Sequence, residues 1–151
     1  MMTTRRKMMR MGAGTIGALM TGMMWPLRAI AGTLEGAFKA KNVDEVFKEL
    51  GVSPTPSDQI TLTTPDIAEN GAVVPVAISS NLPKTEQIMV LVEKNPNPMA
   101  ACFNIFDATE ASVSTRVKVG QSCNVYAVVK ADGKYYSAMR ETKVTLGGCG
   151  G

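Results

Sequence analysis

The chain has 151 residues, enough for one ordinary domain, with 16 Lys+Arg against 13 Asp+Glu, eleven methionines and no histidine. Without histidine, a Ser-His-Asp or Cys-His site, a His-ligated metal and a CxxCH haem attachment are all excluded. A single Trp, few aromatics and a small net charge argue against a nucleic-acid partner, and no apolar run reaches the roughly 18–20 residues of a membrane span.

The charge is unevenly spread. Residues 1–31 hold five of the cations (Arg5, Arg6, Lys7, Arg10, Arg28), eight of the eleven methionines and no carboxylate. The remaining 120 residues are therefore mildly acidic, with eleven basic and thirteen acidic side chains. Thr4-Arg5-Arg6-Lys7-Met8-Met9-Arg10 is a cationic segment, Met11 to Trp25 is a weakly apolar Gly/Ala/Met-rich run, and Ala29-Ile30-Ala31 is a small-residue A-x-A site. That order is the order of an export signal. The paired arginines, the low hydrophobicity and the basic Arg28 beside the cleavage site favour the twin-arginine (Tat) route for folded proteins. The expectation is cleavage after Ala31 and a mature periplasmic chain from Gly32, with no membrane attachment once the signal is removed. The competing reading is a short helix that stays on the chain.

Next comes a helical segment, 32–53. Leu34, Phe38, Val43, Val46, Phe47 and Leu50 recur near a 3.6 period, Asn42 is placed to cap a second helix from Val43, and Gly51 suits its end. Ser53-Pro54-Thr55-Pro56-Ser57 is punctuation no helix would cross. From 54 to 146 the pattern turns to short strands: Gln59–Thr63, Ala72–Ser79, Gln87–Glu93, Ala100–Phe106, Ser112–Val119, Cys123–Lys130 and Tyr135–Leu146. Pro75 suggests an edge or a bulge, Asn95-Pro96-Asn97-Pro98 a turn, and Asp132-Gly133 is the strongest hairpin signal in the chain. Seven short strands of this spacing predict an immunoglobulin-like antiparallel β-sandwich carrying a short N-terminal helical segment. Such a scaffold says nothing by itself about activity.

The chain finishes Gly147-Gly148-Cys149-Gly150-Gly151. Glycines on both sides give this stretch wide backbone freedom and no side chains with which to pack, so residues 147–151 read as a flexible C-terminal arm. From Leu146 to Cys149 the arm extends at most about 10–11 Å, enough to place a thiol in a narrow cleft of another protein. An exposed thiol titrates near 8.5 and is partly thiolate around neutrality. Cys149 is thus the candidate reactive residue. An unpaired cysteine in an oxidising compartment is a liability unless it has a use.

The ending Lys143-Val144-Thr145-Leu146-Gly147-Gly148-Cys149-Gly150-Gly151 resembles that of the SoxY family, the sulfur carriers of periplasmic thiosulfate-oxidising Sox systems. Similar matches are Pro65-Asp66-Ile67-Ala68-Glu69-Asn70-Gly71, Val74-Pro75-Val76, Asn95-Pro96-Asn97-Pro98, Ser114-Thr115-Arg116-Val117-Lys118-Val119 and the Tat-like leader. The resemblance implies a carrier without catalysis or cofactor of its own, on which Cys149 is joined to the sulfane sulfur of thiosulfate by a partner c-type cytochrome. A hydrolase would then release sulfate, a sulfur dehydrogenase would oxidise the remaining persulfide where one is present, and a second hydrolysis would restore the thiol. It also implies a heterodimer with a SoxZ-like sandwich subunit.

Cys102 and Cys123 depart from the family pattern of a single tail cysteine. They would form a structural disulfide, remain as two buried thiols, or leave one bridged to a partner chain. The spacing of paired-cysteine zinc sites is absent. Arg116 and Lys118 would attract anionic thiosulfate if they lie near the arm, and otherwise mark a solvated strand face. The competing functional reading is an exported β-sandwich binding or structural module whose tail cysteine makes an intermolecular disulfide. A thiol oxidoreductase is disfavoured because no resolving cysteine forms a CxxC with Cys149.

Overall fold

The computed structural model describes residues 34–145, all within the unit Gly32–Gly151. The expected leader (1–31) and arm (147–151) lie outside the described residues.

Residues 34–39 form helix α1 and Val43–Leu50 form helix α2. The break falls at Asn42 because that residue is extended (φ −148°) and its side chain accepts the Glu45 N–H at 2.8 Å, which starts α2 as a new helix. Gly51, at φ +67°, sends its N–H back to the last turn, the left-handed stop that glycine tolerates best. Asn42→Ala should cost about 1 kcal/mol, read as a lower midpoint in urea unfolding with an unchanged slope.

Nine strands follow: β1 (Thr55–Pro56), β2 (Ile60–Thr63), β3 (Ile67–Ala68), β4 (Val74–Ser80), β5 (Thr85–Val92), β6 (Met99–Asn104), β7 (Ser112–Val117), β8 (Cys123–Ala131) and β9 (Lys134–Val144). The large sheet runs β1-β9-β8-β5-β6 with β3 also on β9, and the small sheet runs β2-β4-β7. The β8–β9 turn has Asp132 at φ +50° and Gly133 at φ +74°, the conformation that Asp-Gly favours.

Strand alternation explains the layers. Ile88, Val90 and Val92 of β5 and Val125, Ala127, Val129 and Ala131 of β8 meet Val74, Val76 and Ile78 of β4 and Ile60 of β2, forming the sandwich core. The opposite face of β5 and β8 presents Met89, Leu91 and Val128, and it packs under Ala37 of α1, Val46 of α2 and Ala40 between them. The middle of the large sheet is thus covered on both sides, which is why Ile88–Val92 is an unbroken apolar run. The immunoglobulin-like sandwich with an N-terminal helical segment is the fold observed.

Two local features sharpen what the sequence predicts. The small sheet places β4 between β2 and β7, but β2 pairs only with Ala77–Ser80, so β4 has a single partner at Pro75 and the proline lies on a locally open edge, as expected. The segment between Ser53 and Ser57, which no helix crosses, also contributes β1, which pairs parallel to Tyr136–Ser137 of β9.

Candidate functional site: the root of the C-terminal tail

The tail leaves from β9, and the last described residues of that strand are held on both sides. On one side β3 pairs parallel to Lys143–Val144. The Lys143 N–H donates to Asp66 O at 2.9 Å and the Thr145 N–H to Ala68 O at 3.2 Å, while the Thr145 hydroxyl donates to Glu69 O at 3.3 Å. On the other side the Val144 N–H donates to Ser122 Oγ at 2.9 Å.

Side chains lock the same segment. The Thr64 and Thr142 hydroxyls, both buried, share a hydrogen bond of 3.0 Å. Arg140 gives two N–H groups to Asp66 Oδ1, at 2.8 and 3.2 Å. That pair is largely exposed, so it is worth a fraction of a kcal/mol and serves alignment more than stability.

The loop that carries Ser122 is braced in turn. Asn95 donates from Nδ2 to Lys118 O at 2.7 Å and accepts the Gly120 N–H on Oδ1 at 3.1 Å, and the Val119 N–H donates to Gly71 O at 2.7 Å. Asn97 reaches the other way, donating to Ala40 O at 3.2 Å between the helices. The Asn95-Pro96-Asn97-Pro98 turn is therefore a brace that ties the loop beside the tail to the helical segment. The residues Thr64, Asp66, Ser122 and Arg140 escaped the sequence reading, since only the sheet pairing brings them together.

Cys149 and the glycines Gly147, Gly148, Gly150 and Gly151 lie outside the described residues. Lys118 is exposed on the braced loop, at the same end of the sandwich as Thr145. Arg116 is exposed on β7 opposite Pro75, on a solvated strand face. Among the described residues no group of three His, Cys, Asp or Glu could hold a metal ion, and no helix is long and apolar enough to cross a membrane.

Cys102 and Cys123 are both free thiols, so the disulfide does not form within the chain. Strand parity explains it. Cys102 sits on β6 opposite Met89 and packs on the helical face of the large sheet, whereas Cys123 begins β8 and faces the sandwich core. The sheet itself separates them. Burial pushes both thiols above the ordinary cysteine range, which lowers their thiolate fraction at neutral pH. Iodoacetamide should accordingly label Cys149 within minutes, Cys102 slowly and Cys123 only on unfolding, as peptide mapping would read.

The SoxY family model (sulfur oxidation protein SoxY) matches residues 45–149. The sulfur carrier protein SoxY from Chlorobium limicola f thiosulfatophilum superimposes with a TM-score of 0.60 at 36% identity, covering 68% of this chain and 94% of that one. A superoxide reductase (neelaredoxin) variant from Ignicoccus hospitalis superimposes with a TM-score of 0.50 at 17% identity, covering 57% of this chain and 79% of that one, which is a likeness of fold alone. No curated protein matches the chain. The family match runs from the second helix through the strands and the braced tail root to Cys149, and with it the chain belongs to the SoxY family of sulfur oxidation proteins.

Proposed function

We propose that this protein is a periplasmic sulfur carrier that holds thiosulfate-derived sulfur covalently on Cys149 and presents it to the enzymes of thiosulfate oxidation. The observation that carries the reading is the Gly-Gly-Cys-Gly-Gly ending of a chain whose family match extends to Cys149. The anchored β9 root supports it: a fixed origin confines the volume that a short arm can search, so a partner's cleft need recognise only the sandwich to meet the sulfur.

The chemistry balances around one sulfur atom. The Cys149 thiolate and the sulfane sulfur of thiosulfate form an S–S bond, and the two electrons released pass to a partner c-type cytochrome. A hydrolase adds water to the terminal sulfonate sulfur, releasing sulfate and leaving a persulfide on Cys149. Where a sulfur dehydrogenase is present, it removes further electrons from that outer sulfur, and a second hydrolysis restores the thiol. The carrier supplies attachment and delivery, and a SoxZ-like sandwich subunit completes it as a heterodimer. Export by the twin-arginine route with cleavage after Ala31 places this chemistry in the periplasm.

Intact-mass measurement of the protein from thiosulfate-fed cells tests the reading. Thiosulfonate or sulfane adducts on the C-terminal peptide, lost on reduction, are the expected result. A Cys149 that is unmodified or only disulfide-linked to another chain during turnover would contradict it and favour the binding-module reading.

A further inference from the structure

Strand β9 outruns β8. Their pairing ends at Cys123 opposite Thr142, yet β9 continues to Val144. Beyond Thr142 the main-chain groups of β9 alternate in direction. The Lys143 and Thr145 N–H groups turn toward β3 and donate to Asp66 O and Ala68 O. The Val144 N–H turns the other way, to the side where β8 has stopped. Ser122 Oγ accepts it at 2.9 Å, so a side chain supplies the last rung in place of main chain.

Ser122 is placed for this by its neighbours. Cys123, next in the chain, is buried in the sandwich core. Gly120, two residues back, gives its N–H to Asn95 Oδ1, while Asn95 Nδ2 holds Lys118 O. The serine is exposed, but the loop that carries it is fixed at both ends. On the opposite side of the root β3 has only two residues, Ile67 and Ala68, and so short a pairing at a chain end frays readily.

We propose that Ser122 is a positioning residue for sulfur delivery: its hydroxyl fixes the point on β9 from which the Cys149 arm departs. The inference rests on the carrier reading and adds a requirement to it. With the rung in place, residues 146–149 carry the sulfur beyond Thr145, a reach of at most about 14 Å over four residues. If the root opens back to Thr142, the tether becomes seven residues and the reach about 24 Å. The effective concentration of a tethered group falls roughly as the −3/2 power of tether length, so full opening dilutes the sulfur at a partner's cleft about twofold. Ser122 acts only through that origin, its oxygen being committed to the Val144 N–H.

Two measurements on the full chain test it: amide exchange, and thiosulfate-dependent reduction of the partner c-type cytochrome as carrier concentration is varied. In Ser122→Ala the Val144 amide should exchange about fivefold faster or more. Its kcat/KM should fall about twofold through a higher KM, with kcat and the urea midpoint unchanged. Ser122→Thr keeps the acceptor and should restore both readings. Three glycines inserted after Leu146 lengthen the tether equally with the rung intact. They should lower kcat/KM by the same factor, about twofold, while Val144 exchange stays native. A serine with a merely structural role predicts no such match. Native exchange at Val144 in Ser122→Ala would overturn the proposal. So would faster exchange with native kcat/KM, or indifference to the inserted glycines. A native chain whose cytochrome reduction does not depend on Cys149 would overturn the carrier reading itself, and this inference with it.

Discussion

Cys149→Ser is expected to reduce thiosulfate-dependent cytochrome reduction to background in a mixture reconstituted with the partner enzymes. The proposed function requires an S–S bond, and a serine hydroxyl neither ionises near neutral pH nor forms one. The loss should therefore be complete. The substitution lies beyond Thr145, the last residue with a described anchoring contact, so the urea midpoint should stay within about 0.5 kcal/mol of the parent. A folded, stable, inert variant separates the carrier role from any structural role of the tail. Cys102→Ala should retain full turnover, since that thiol sits on the helical face of β6 and not at the tail root.

The largest stability effects are expected in β5, the strand buried on both faces. Ile88 is fully buried in the sandwich core, and Leu91 is fully buried beneath the helices. Truncating either to Ala removes apolar contact and leaves a cavity, with a cost of about 2–5 kcal/mol. The two losses should differ in kind. Ile88→Ala weakens the contact between the sheets, so amide exchange should speed up across β4, β5 and β8 together. Leu91→Ala weakens the seat of α1 and α2, so protection should fall first in residues 34–50 while the small sheet keeps its own. Equal loss of protection in both regions for both variants would mean that helices and sandwich unfold as one unit.

Much of this architecture was legible in the sequence because local signals agreed with it. Asn42 and Gly51 punctuate the helices by capping chemistry, Asp132-Gly133 makes its hairpin by backbone preference, and the seven longer strands announce themselves by apolar patterning. The two strands that were missed, Thr55–Pro56 and Ile67–Ala68, are two residues each. No periodicity exists over two residues, and both are strands only because β9 lies alongside them. Pro75 marks an open edge because β2 stops short of it, pairing only with Ala77–Ser80.

The site divides in the same way. The tail cysteine is conspicuous in sequence because its glycine neighbours are. Its supports are not, since Thr64 and Thr142 lie 78 residues apart and Asp66 and Arg140 lie 74 apart. Neither pair has any local signature. Cys102 and Cys123 show the converse: two cysteines in a chain expected to be exported suggest a bridge, and only the sheet between them rules it out.

Whether sulfur is delivered on the tethered Cys149, as proposed, is tested by a pulse-chase of the native protein. Cells or a reconstituted system would receive thiosulfate labelled in its outer sulfur, followed by unlabelled thiosulfate, with the C-terminal peptide isolated at intervals. Label is expected on the Cys149 peptide during the pulse, with its loss during the chase at the rate of overall thiosulfate oxidation. Label that never reaches Cys149, or that stays there while oxidation proceeds, would contradict it.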